Sequence, residues 1–249
     1  MSKPFKIIRL KETPSTNDYA FLLEDGAIEG PLTAVVADHQ TKGKGQRGNL
    51  WESERGKNLL LSVIMRPWFV PARDQFVLSE MVSMSVVETL DEYAPGFTVK
   101  WPNDIYHKDR KIAGILIEHT LSGCSLGKSI AGIGLNINQK MFLSDAPNPV
   151  SLHQILNKET DREQVLLGLL TRMNSGIQSL EEDYSAHRAQ LHERFLSRLW
   201  RGEGLHPFKD KDGVFQARIK DVRMDGPIVL EDTEKKERTY LFKEVQYIL

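Results

Sequence analysis

One short stretch of the chain combines residue types that chemistry needs more than folding does. It holds a cation, a large aromatic residue, a proline, a carboxamide and a carboxylate in direct succession: Lys100, Trp101, Pro102, Asn103 and Asp104. Two further cations, Arg110 and Lys111, open the apolar segment 110–118 a few residues later. A turn between two strands needs alternating apolar residues and turn formers, but not this set at a strand end. We therefore expect these residues to serve chemistry.

A glycine-rich loop at residues 43–48 is the second candidate. It fits the pattern G-x-G-x-x-G, but it leads into a strand instead of opening a helix, which argues against a dinucleotide fingerprint. A P-loop also fails, because Asn49 stands where that motif has its lysine. The glycines would let the backbone approach an anion closely, and Lys44 and Arg47 would neutralise phosphate charge. A flexible surface hairpin is the structural alternative.

Composition narrows the class of protein. With 249 residues, 40% hydrophobic and 27% charged, the chain has the length and apolar content for a globular core. A net charge of −1 gives the protein no overall electrostatic attraction for a polyanion, so we expect no DNA binding. The amino terminus has no signal-peptide pattern and no apolar run is long enough to span a bilayer, which predicts a cytoplasmic protein without membrane contact. The single cysteine, Cys124, has no neighbours at metal-ligand spacing.

The elements that must position these residues follow from periodicity. Strands are predicted at residues 5–10, 33–38, 58–65, 97–100, 111–119 and 128–137. A capped helix begins after residues 15–18, and apolar residues at 77, 81, 84, 87 and 90 predict a second helix over 74–93. We expect strands 97–100 and 111–119 to pair across a turn at 104–109. The fold class is therefore α+β, a mixed or antiparallel sheet with helices packed on one side.

The carboxy-terminal part changes character. Residues 161–199 carry a helical pattern, and Gly202, Gly204 and Pro207 then interrupt the chain. Alternating segments at 214–222, 228–231 and 238–248, with a turn signal at 225–226, predict short strands. We predict two domains, 1–200 for the chemistry and 201–249 as a small β-barrel.

Taken together, these segments resemble the biotin protein ligases, which attach biotin to the carrier domains of carboxylases. The family's motifs occur here in order over residues 15–138: a Ser-Thr-Asn triplet at 15–17, Gln40 with the loop 43–51, the segments 100–104 and 110–118, and Gly-Leu-Asn-Ile-Asn at 134–138. The resemblance implies the biotin/lipoate ligase-like fold and an SH3-like barrel at the carboxy terminus. The chain departs from the family at one position, because Gln46 stands where the family commonly has an arginine that helps hold the acyl-adenylate.

The resemblance implies two reaction steps. The biotin carboxylate attacks the α-phosphate of ATP to give biotinoyl-adenylate and pyrophosphate, and a carrier lysine then attacks the mixed anhydride. By the same likeness, Lys111 lies between the two reacting anions, Lys44, Arg47 and Mg²⁺ share the phosphate charge, and Asp104 orients or deprotonates the incoming amine. ATP, Mg²⁺ and biotin are thus the expected small molecules, with no tightly bound protein metal.

The resemblance also assigns the binding residues. The predicted biotin-binding residues are Ser15, Thr16, Asn17, Gln40, Gly43, Lys44, Gly45, Gln46, Trp51, Lys111 and Gly114. The predicted nucleotide-binding residues are Arg47, Trp51, Asn103, Lys111 and Asn136. Several of these residues also have a structural alternative. Ser15 or Thr16 could cap the following helix, and Asp104 could stabilise a turn. The asparagines could serve only at strand ends, and the tryptophans could be core residues.

Two other functions compete with biotin ligation. Lipoate or octanoate ligases and transferases share the fold that the resemblance implies, although the triplet at 15–17 and the cationic glycine loop favour biotin. A biotin-responsive DNA-binding repressor is the alternative that is not an enzyme. The ligase-type motifs begin within about fifteen residues of the start of the sequence, so we expect no amino-terminal helix-turn-helix domain. The expected partner is a biotin carboxyl carrier domain, and a monomer and a homodimer both remain open.

Overall fold

A mixed sheet is the centre of the larger part of the molecule. The structure, a computed structural model, describes residues 5–45, 51–143 and 148–248. Within these residues, seven strands form one sheet in the order β1-β2-β3-β7-β6-β5-β4. Their bounds are Phe5–Leu10 (β1), Leu32–Ala37 (β2), Leu59–Met65 (β3), Phe97–Lys100 (β4), Asp104–His107 (β5), Arg110–Ser122 (β6) and Ser125–Leu135 (β7). The β1–β2 pair is parallel, and the other neighbouring strands pair antiparallel.

Helices cover both faces of this sheet. They are Thr16–Leu22 (α1), Phe76–Asp91 (α2), Leu152–Leu156 (α3), Arg162–Glu182 (α4) and Tyr184–Ser197 (α5). The helix α2 packs against α4 and α5, and nearly all of its residues are buried, which makes it the middle of the main core. The prediction of helices on one side is wrong, because α1 packs on β2, β3 and β7 through Ala20. Ala20 belongs to a small separate core with Val35, Ile64 and Ile130, residues that point away from the main core.

The pairing around residues 97–119 differs from the prediction. Strands β4 and β6 do not pair directly, because Asp104–His107 forms β5 between them. Residues 101–103 turn the chain back onto β4, and Lys108, with φ of 54°, turns it again toward β6. Two tight turns thus replace the single one expected. The consequence for the site is direct, since Asp104 now lies opposite Lys100 on one side and Gly114 on the other.

The carboxy-terminal part forms a separate antiparallel sheet, as predicted for a small SH3-like domain. Its strands are His206–Asp210 (β8), Gly213–Val222 (β9), Ile228–Asp232 (β10), Glu237–Tyr240 (β11) and Gln246–Tyr247 (β12), in the order β11-β10-β9-β8-β12. The predicted turn at 225–226 is present, with Gly226 at φ of 113°. The division at residue 200 stays a prediction.

Two helical segments differ from the sequence pattern. The pattern over 161–199 is interrupted at Asp183, whose carboxylate accepts from the backbone N–H of Ala186 at 3.1 Å and caps α5. The short helix α3, for which the sequence pattern predicted no element, begins at a capping box formed by Ser151 and Gln154. Across the described ranges, no helix combines the length and the hydropathy needed to cross a membrane.

Candidate active site

Most of the residues that were singled out from the sequence and that the structure describes line one cavity of about 680 Å³. It lies on the β3, β6 and β7 side of the sheet, between the start of α1, the segment 100–104 and the carboxy-terminal domain. The predicted site residues that line it are Ser15, Thr16, Asn17, Gln40, Lys44, Gly45, Trp51, Asn103, Asp104, Lys111 and Gly114. The segment 100–104 and the loop residues Lys44 and Gly45 thus line the same cavity.

Glycines on two neighbouring strands form the floor of this cavity. A Cβ atom at Gly134 would lie 2.4 Å from the Trp51 ring, and one at Gly132 would lie 2.3 Å from Asn17 Oδ1. Gly114, on the adjoining strand, would bring its Cβ to 2.9 Å from the same Trp51 ring. Any side chain at these positions would displace the aromatic ring or the amide. The alternation at 132–134 is the sequence signal for this floor, and Gly132 was not predicted.

One end of the cavity is a polar network. Gln40 Oε1 accepts hydrogen bonds from Thr16 N at 2.7 Å and Thr16 Oγ1 at 3.0 Å. The Ser62 hydroxyl lies 2.7 Å from Thr16 Oγ1 and 2.5 Å from Asn17 Oδ1, and the Asn17 amide donates to Glu118 at 2.8 Å. Because each side chain is held by another, the donors and acceptors at this end are fixed before a ligand arrives.

The triplet at 15–17 combines a helix cap with a place in the cavity lining. Ser15 caps α1 by accepting from Asp18 N at 3.4 Å, and it also lines the cavity. Thr16 and Asn17 are buried and joined to the sheet through Ser62. Ser62 and Glu118 complete this network, and Ser62 was not predicted because a serine within a buried strand gives no motif signal.

A lysine and a carboxylate face each other at the centre of the site. Lys111 Nζ lies 2.7 Å from Asp104 Oδ1, and both side chains are only about a quarter exposed, at 27% and 22%. The same ammonium lies 5.6 Å from the centroid of the Trp51 ring. Strand pairing causes this approach, since Asp104 in β5 lies opposite Gly114 in β6, close to Lys111. The pair can hold an anionic ligand through the lysine and a proton-bearing group through the carboxylate.

A second ion pair lies at the glycine loop. Lys44 Nζ is 2.7 Å from Asp18 Oδ1 on α1. The hydrogen bond to Asp18 raises the pKa of Lys44, so this lysine is a permanent cation at neutral pH. The pair ties the described part of the loop to the same helix that carries the triplet.

Lys100 is a site residue that the sequence prediction left out of its binding set. It lines the cavity, and its ammonium donates to Tyr106 Oη at 3.0 Å. The rings of Tyr106, Trp200 and Tyr247 surround it with centroids at 4.9, 5.5 and 5.4 Å. Burial lowers the pKa of Lys100, in contrast to that of Lys44. Its membership in the segment 100–104 was the available signal.

The carboxy-terminal domain supplies one wall of the cavity. The lining residues from this domain are Phe242, Lys243, Val245, Gln246 and Tyr247. Trp101 joins the two sheets, because its indole N–H donates to the Gly226 carbonyl at 2.9 Å and its ring packs on Phe242 at 6.2 Å between centroids. Trp101 is thus buried at the interface between the two sheets and also borders the cavity.

Some predicted residues lie elsewhere. Gly43 is outside the lining, although its carbonyl accepts from Trp51 N at 3.0 Å and so positions that residue. Asn136 is also outside it, and its side-chain amide donates to the Val150 carbonyl at 3.1 Å, which is a structural role. Gln46 and Arg47 fall outside the described residues. Among the residues that are described, no three His, Cys, Asp or Glu side chains are grouped as a metal site.

A cavity with a glycine floor, a fixed polar end and several lysines is suited to binding an anionic small molecule. Residues 10–138 match the Biotin/lipoate A/B protein ligase family. With that match over more than half of its length, the chain belongs to this family.

Individual relatives agree with this assignment. The chain is 29% identical over 230 residues to the bifunctional ligase/repressor BirA of Bacillus subtilis, covering 88% of this chain and 67% of the relative. It is 31% identical over 210 residues to the biotin–[acetyl-CoA-carboxylase] ligase of Mycobacterium tuberculosis, covering 78% and 75%. A solved structure of the Aquifex aeolicus biotin protein ligase, in complex with biotin and ATP, superposes with a TM-score of 0.79 at 27% identity and covers 98% of this chain and 99% of that one.

Proposed function

We propose that this chain is an ATP-dependent biotin protein ligase. It activates biotin as biotinoyl-adenylate and transfers the biotinoyl group to a lysine of a biotin carboxyl carrier domain. The observation that carries the proposal is the Lys111–Asp104 pair, held beside Trp51 over a floor without side chains. The first step requires a cation that brings two anions together, and the second requires a carboxylate close to it.

The first step is dominated by electrostatics. A biotin carboxylate oxygen bonds to the α-phosphorus of ATP, the bond from that phosphorus to the bridging oxygen breaks, and pyrophosphate leaves with the electron pair. Carboxylate and triphosphate repel each other, so a fixed cation between them lowers the barrier, and one well-placed donor contributes about 3 to 4 kcal/mol. Lys111 has that place in the proposal, with its ammonium 5.6 Å from the centroid of the Trp51 ring.

The second step joins a carrier lysine to the acyl group. The neutral amine attacks the biotinoyl carbon, the new C–N bond forms, and AMP leaves from the same carbon. The carrier lysine is protonated in water, so its proton must go to an acceptor in the site. Asp104 lies in the cavity 2.7 Å from Lys111 and is the carboxylate assigned to orient the amine and accept that proton.

The polar end of the cavity suits the ureido ring of biotin. A ureido group presents one carbonyl acceptor and two N–H donors, and the network of Ser15, Thr16, Asn17 and Gln40 offers hydroxyl and amide groups for both. Gly132 and Gly134 let the Asn17 amide and the Trp51 ring pack directly on the backbone of β7, and we assign the bicycle to the space beside these two side chains. We assign Trp51 and Asn103 to the nucleotide side, together with Arg47.

Magnesium fits this site as part of the nucleotide substrate. Asp104 is the carboxylate that lines the described cavity, and it is already paired with Lys111. Mg²⁺ commonly keeps several waters and binds through substrate phosphates with few protein carboxylates. We therefore propose Mg-ATP as the form that binds, with the ion held by the phosphates.

The partner side of the proposal follows from the reaction. A carrier domain must present its lysine at the open mouth of the cavity, so a biotin carboxyl carrier domain of acetyl-CoA carboxylase or a related enzyme is the proposed acceptor. DNA binding, a membrane and a particular oligomeric state form no part of the proposal. A cytoplasmic location stays a prediction.

Pyrophosphate release from Mg-ATP tests the proposal, measured side by side with biotin, lipoate and no acid. This assay needs no carrier, so it isolates the first half-reaction. We expect release with biotin alone, and a hydroxylamine trap should then capture the activated acid. Release with lipoate would mean that the protein activates lipoate instead of biotin. Release with neither acid would contradict the proposed function.

A further inference from the structure

Four oxygen atoms form a row at the polar end of the cavity. They belong to Gln40 (Oε1), Thr16 (Oγ1), Ser62 (Oγ) and Asn17 (Oδ1), and the successive distances along the row are 3.0, 2.7 and 2.5 Å. Each of these distances is that of a hydrogen bond. A hydroxyl carries one proton and an amide oxygen carries none, so the two hydroxyls supply two protons for three contacts. The row is therefore one proton short.

Neither amide can supply the missing proton by turning over. Gln40 Oε1 also accepts from the Thr16 N–H at 2.7 Å, and a turned amide would place two donors against each other there. Asn17 Nδ2 donates to Glu118 Oε2 at 2.8 Å and lies 3.4 Å from the Leu116 carbonyl, which directs the Asn17 oxygen toward the row. A carboxylate can only accept, so its partner must be the amide nitrogen. Glu118 thus decides which end of the Asn17 amide joins the row.

We infer that Glu118 is a positioning residue that keeps the polar end of the cavity an acceptor of hydrogen bonds. Glu118 lies outside the cavity lining, whereas Thr16 and Asn17 border the cavity. The lone pairs that the two protons leave unused are offered to a ligand at these two residues. A ring with N–H donors can bind to them, and the dithiolane ring of lipoate cannot. The inference rests on the proposed function, because it explains how the same site selects a ureido ring.

A role of Glu118 through its charge alone predicts the opposite effect on binding. The hydrogen bond to Asp18 and, to a smaller extent, the negative charge of Glu118 raise the pKa of Lys44, so this charge reaches the cation at the glycine loop. Removal of the charge would leave the cavity more positive, and an anionic ligand would then bind more tightly. Positioning through Asn17 predicts weaker binding of biotin instead. The sign of the change therefore separates the two roles.

Glu118→Gln is the substitution that tests the positioning role. Glu118 is exposed, and glutamine has nearly the same shape, so the fold is retained. An amide can donate as well as accept, so the Asn17 amide becomes free to turn over and donate to Ser62. That turn supplies the missing proton and removes an acceptor from the cavity. The melting temperature of the ligand-free protein should therefore not fall.

The chain offers a matched control on another strand. Glu237 of β11 is also an exposed glutamate whose carboxylate is bound by a side chain, that of Lys220, and it lies outside the cavity lining. Glu237→Gln reproduces the loss of one charge and of one carboxylate contact without touching the site.

The test compares biotin binding by calorimetry and pyrophosphate release in the wild type, Glu118→Gln and Glu237→Gln. We expect the Kd and the KM for biotin to rise about tenfold in Glu118→Gln, with kcat and the KM for ATP unchanged and the control equal to the wild type. Biotin affinity equal to or higher than that of the wild type would overturn the inference. An equal loss in kcat, or a lower melting temperature, would show a merely structural role and would also overturn it.

Ligands that lack one donor test the same point from the other side. In the two cyclic carbamate analogues of biotin, one or the other ring N–H is replaced by oxygen. At least one analogue should bind the wild type about tenfold more weakly than biotin, and this difference should largely disappear in Glu118→Gln, because the acceptor has turned away. A difference of the same size in both proteins would contradict the positioning role.

These measurements also separate the inference from the proposed function. Biotin that binds the wild type more tightly than Glu118→Gln, without any pyrophosphate release, would retain the positioning role and reject the ligase. Biotin-dependent release with the same KM in both proteins would reject the positioning role and retain the ligase. A wild type that does not bind biotin would reject both.

Discussion

Lys111 is the residue on which the proposed chemistry depends most. Replacing Lys111 with alanine should reduce biotin-dependent pyrophosphate release by about 10²- to 10³-fold, since a preorganised donor to the reacting charge is lost. Its side chain is partly exposed, at 27%, so the thermal transition should change little. Single-turnover kinetics and a melting curve measure the two effects.

Lys108→Ala is the control for Lys111, because Lys108 is exposed in the adjacent turn and outside the cavity lining. Its activity should equal that of the wild type. Near-normal pyrophosphate release from Lys111→Ala would remove this lysine from the first step.

Gly134 tests the floor of the cavity. A Gly134→Ala substitution places a Cβ atom 2.4 Å from the Trp51 ring, so the ring must move. We expect weaker ATP and biotin binding and a stability loss of about 1 to 3 kcal/mol. Titration calorimetry and urea unfolding measure both.

Gly26→Ala provides the comparison for Gly134, since a Cβ at Gly26 meets nothing within 4 Å. This variant should bind both ligands normally. If Gly134→Ala behaves like Gly26→Ala, the backbone floor does not determine the position of Trp51.

At this scale, the sequence predicted residues with unusual chemistry better than residues with ordinary roles. The cation and carboxylate at 111 and 104 stand out because a turn does not need them. Ser62 and Gly132 could not be identified in the same way, because a serine and a glycine inside a buried strand look like packing residues until strand pairing places them beside Asn17.

Among the elements, the helices α2 and α5 are joined by a buried acid–histidine pair. His192 Nδ1 lies 2.6 Å from Glu80 Oε1, and both residues are buried. Asp221 of β9 lies 3.9 Å from the other ring nitrogen, and Arg188 of α5 is the neighbouring cation. The hydrogen bond to Glu80 raises the pKa of His192, and burial raises the pKa of Glu80.

Both shifts mean that the folded protein holds protons more tightly than the unfolded chain. The stabilisation is fully present below the ordinary values of 4.5 for Glu80 and 6.5 for His192, and it is lost as pH rises through the raised folded values. The free energy of unfolding should therefore fall from weakly acidic to weakly alkaline pH, by at most about 1.4 kcal/mol per pH unit and proton. Urea unfolding of the wild type and of Glu80→Gln with His192→Gln, between about pH 5 and 8, measures this slope, which should be flatter in the double variant. Equal slopes would exclude the pair as its source.

Long elements were predictable and short ones were not. The strands β3, β6 and β7 and the helix α2 have enough residues for a period to appear, and the predicted ranges overlap them closely. The strand β5 has four residues and lies between two tight turns, so its Ile105 and Tyr106 resembled part of a loop. Capping by Asp183 and by Ser151 decided where helices begin, and a local cap is hard to distinguish from a polar loop residue.

For the whole molecule, the contact between the two sheets contains an unsatisfied group. Tyr247 Oη is buried and has no hydrogen-bond partner among the described atoms, and burial raises the pKa of this phenol. Tyr247→Phe should therefore stabilise the ligand-free protein by about 1 kcal/mol, because an unpaired buried hydroxyl costs about that much or more. Thermal unfolding without ligand measures it.

Tyr240→Phe should have the opposite sign in the same domain. Its hydroxyl donates to Asp210 at 2.7 Å. Burial, together with the hydrogen bond to this carboxylate, raises the pKa of Tyr240 to about 12. Loss of that bond should lower stability by about 1 kcal/mol.

A lower melting temperature for Tyr247→Phe would mean that its hydroxyl has a partner in solution.

The placement of the four tryptophans gives the molecule an intrinsic optical signal. Trp51 and Trp101 line the cavity, whereas Trp68 is 67% exposed on a loop and Trp200 lies behind Lys100. A purine stacked near Trp51 would quench its emission, and the fluorescence of Trp68 would remain as an internal reference. Filling of the site can thus be followed by light in real time, without a label or a coupled assay.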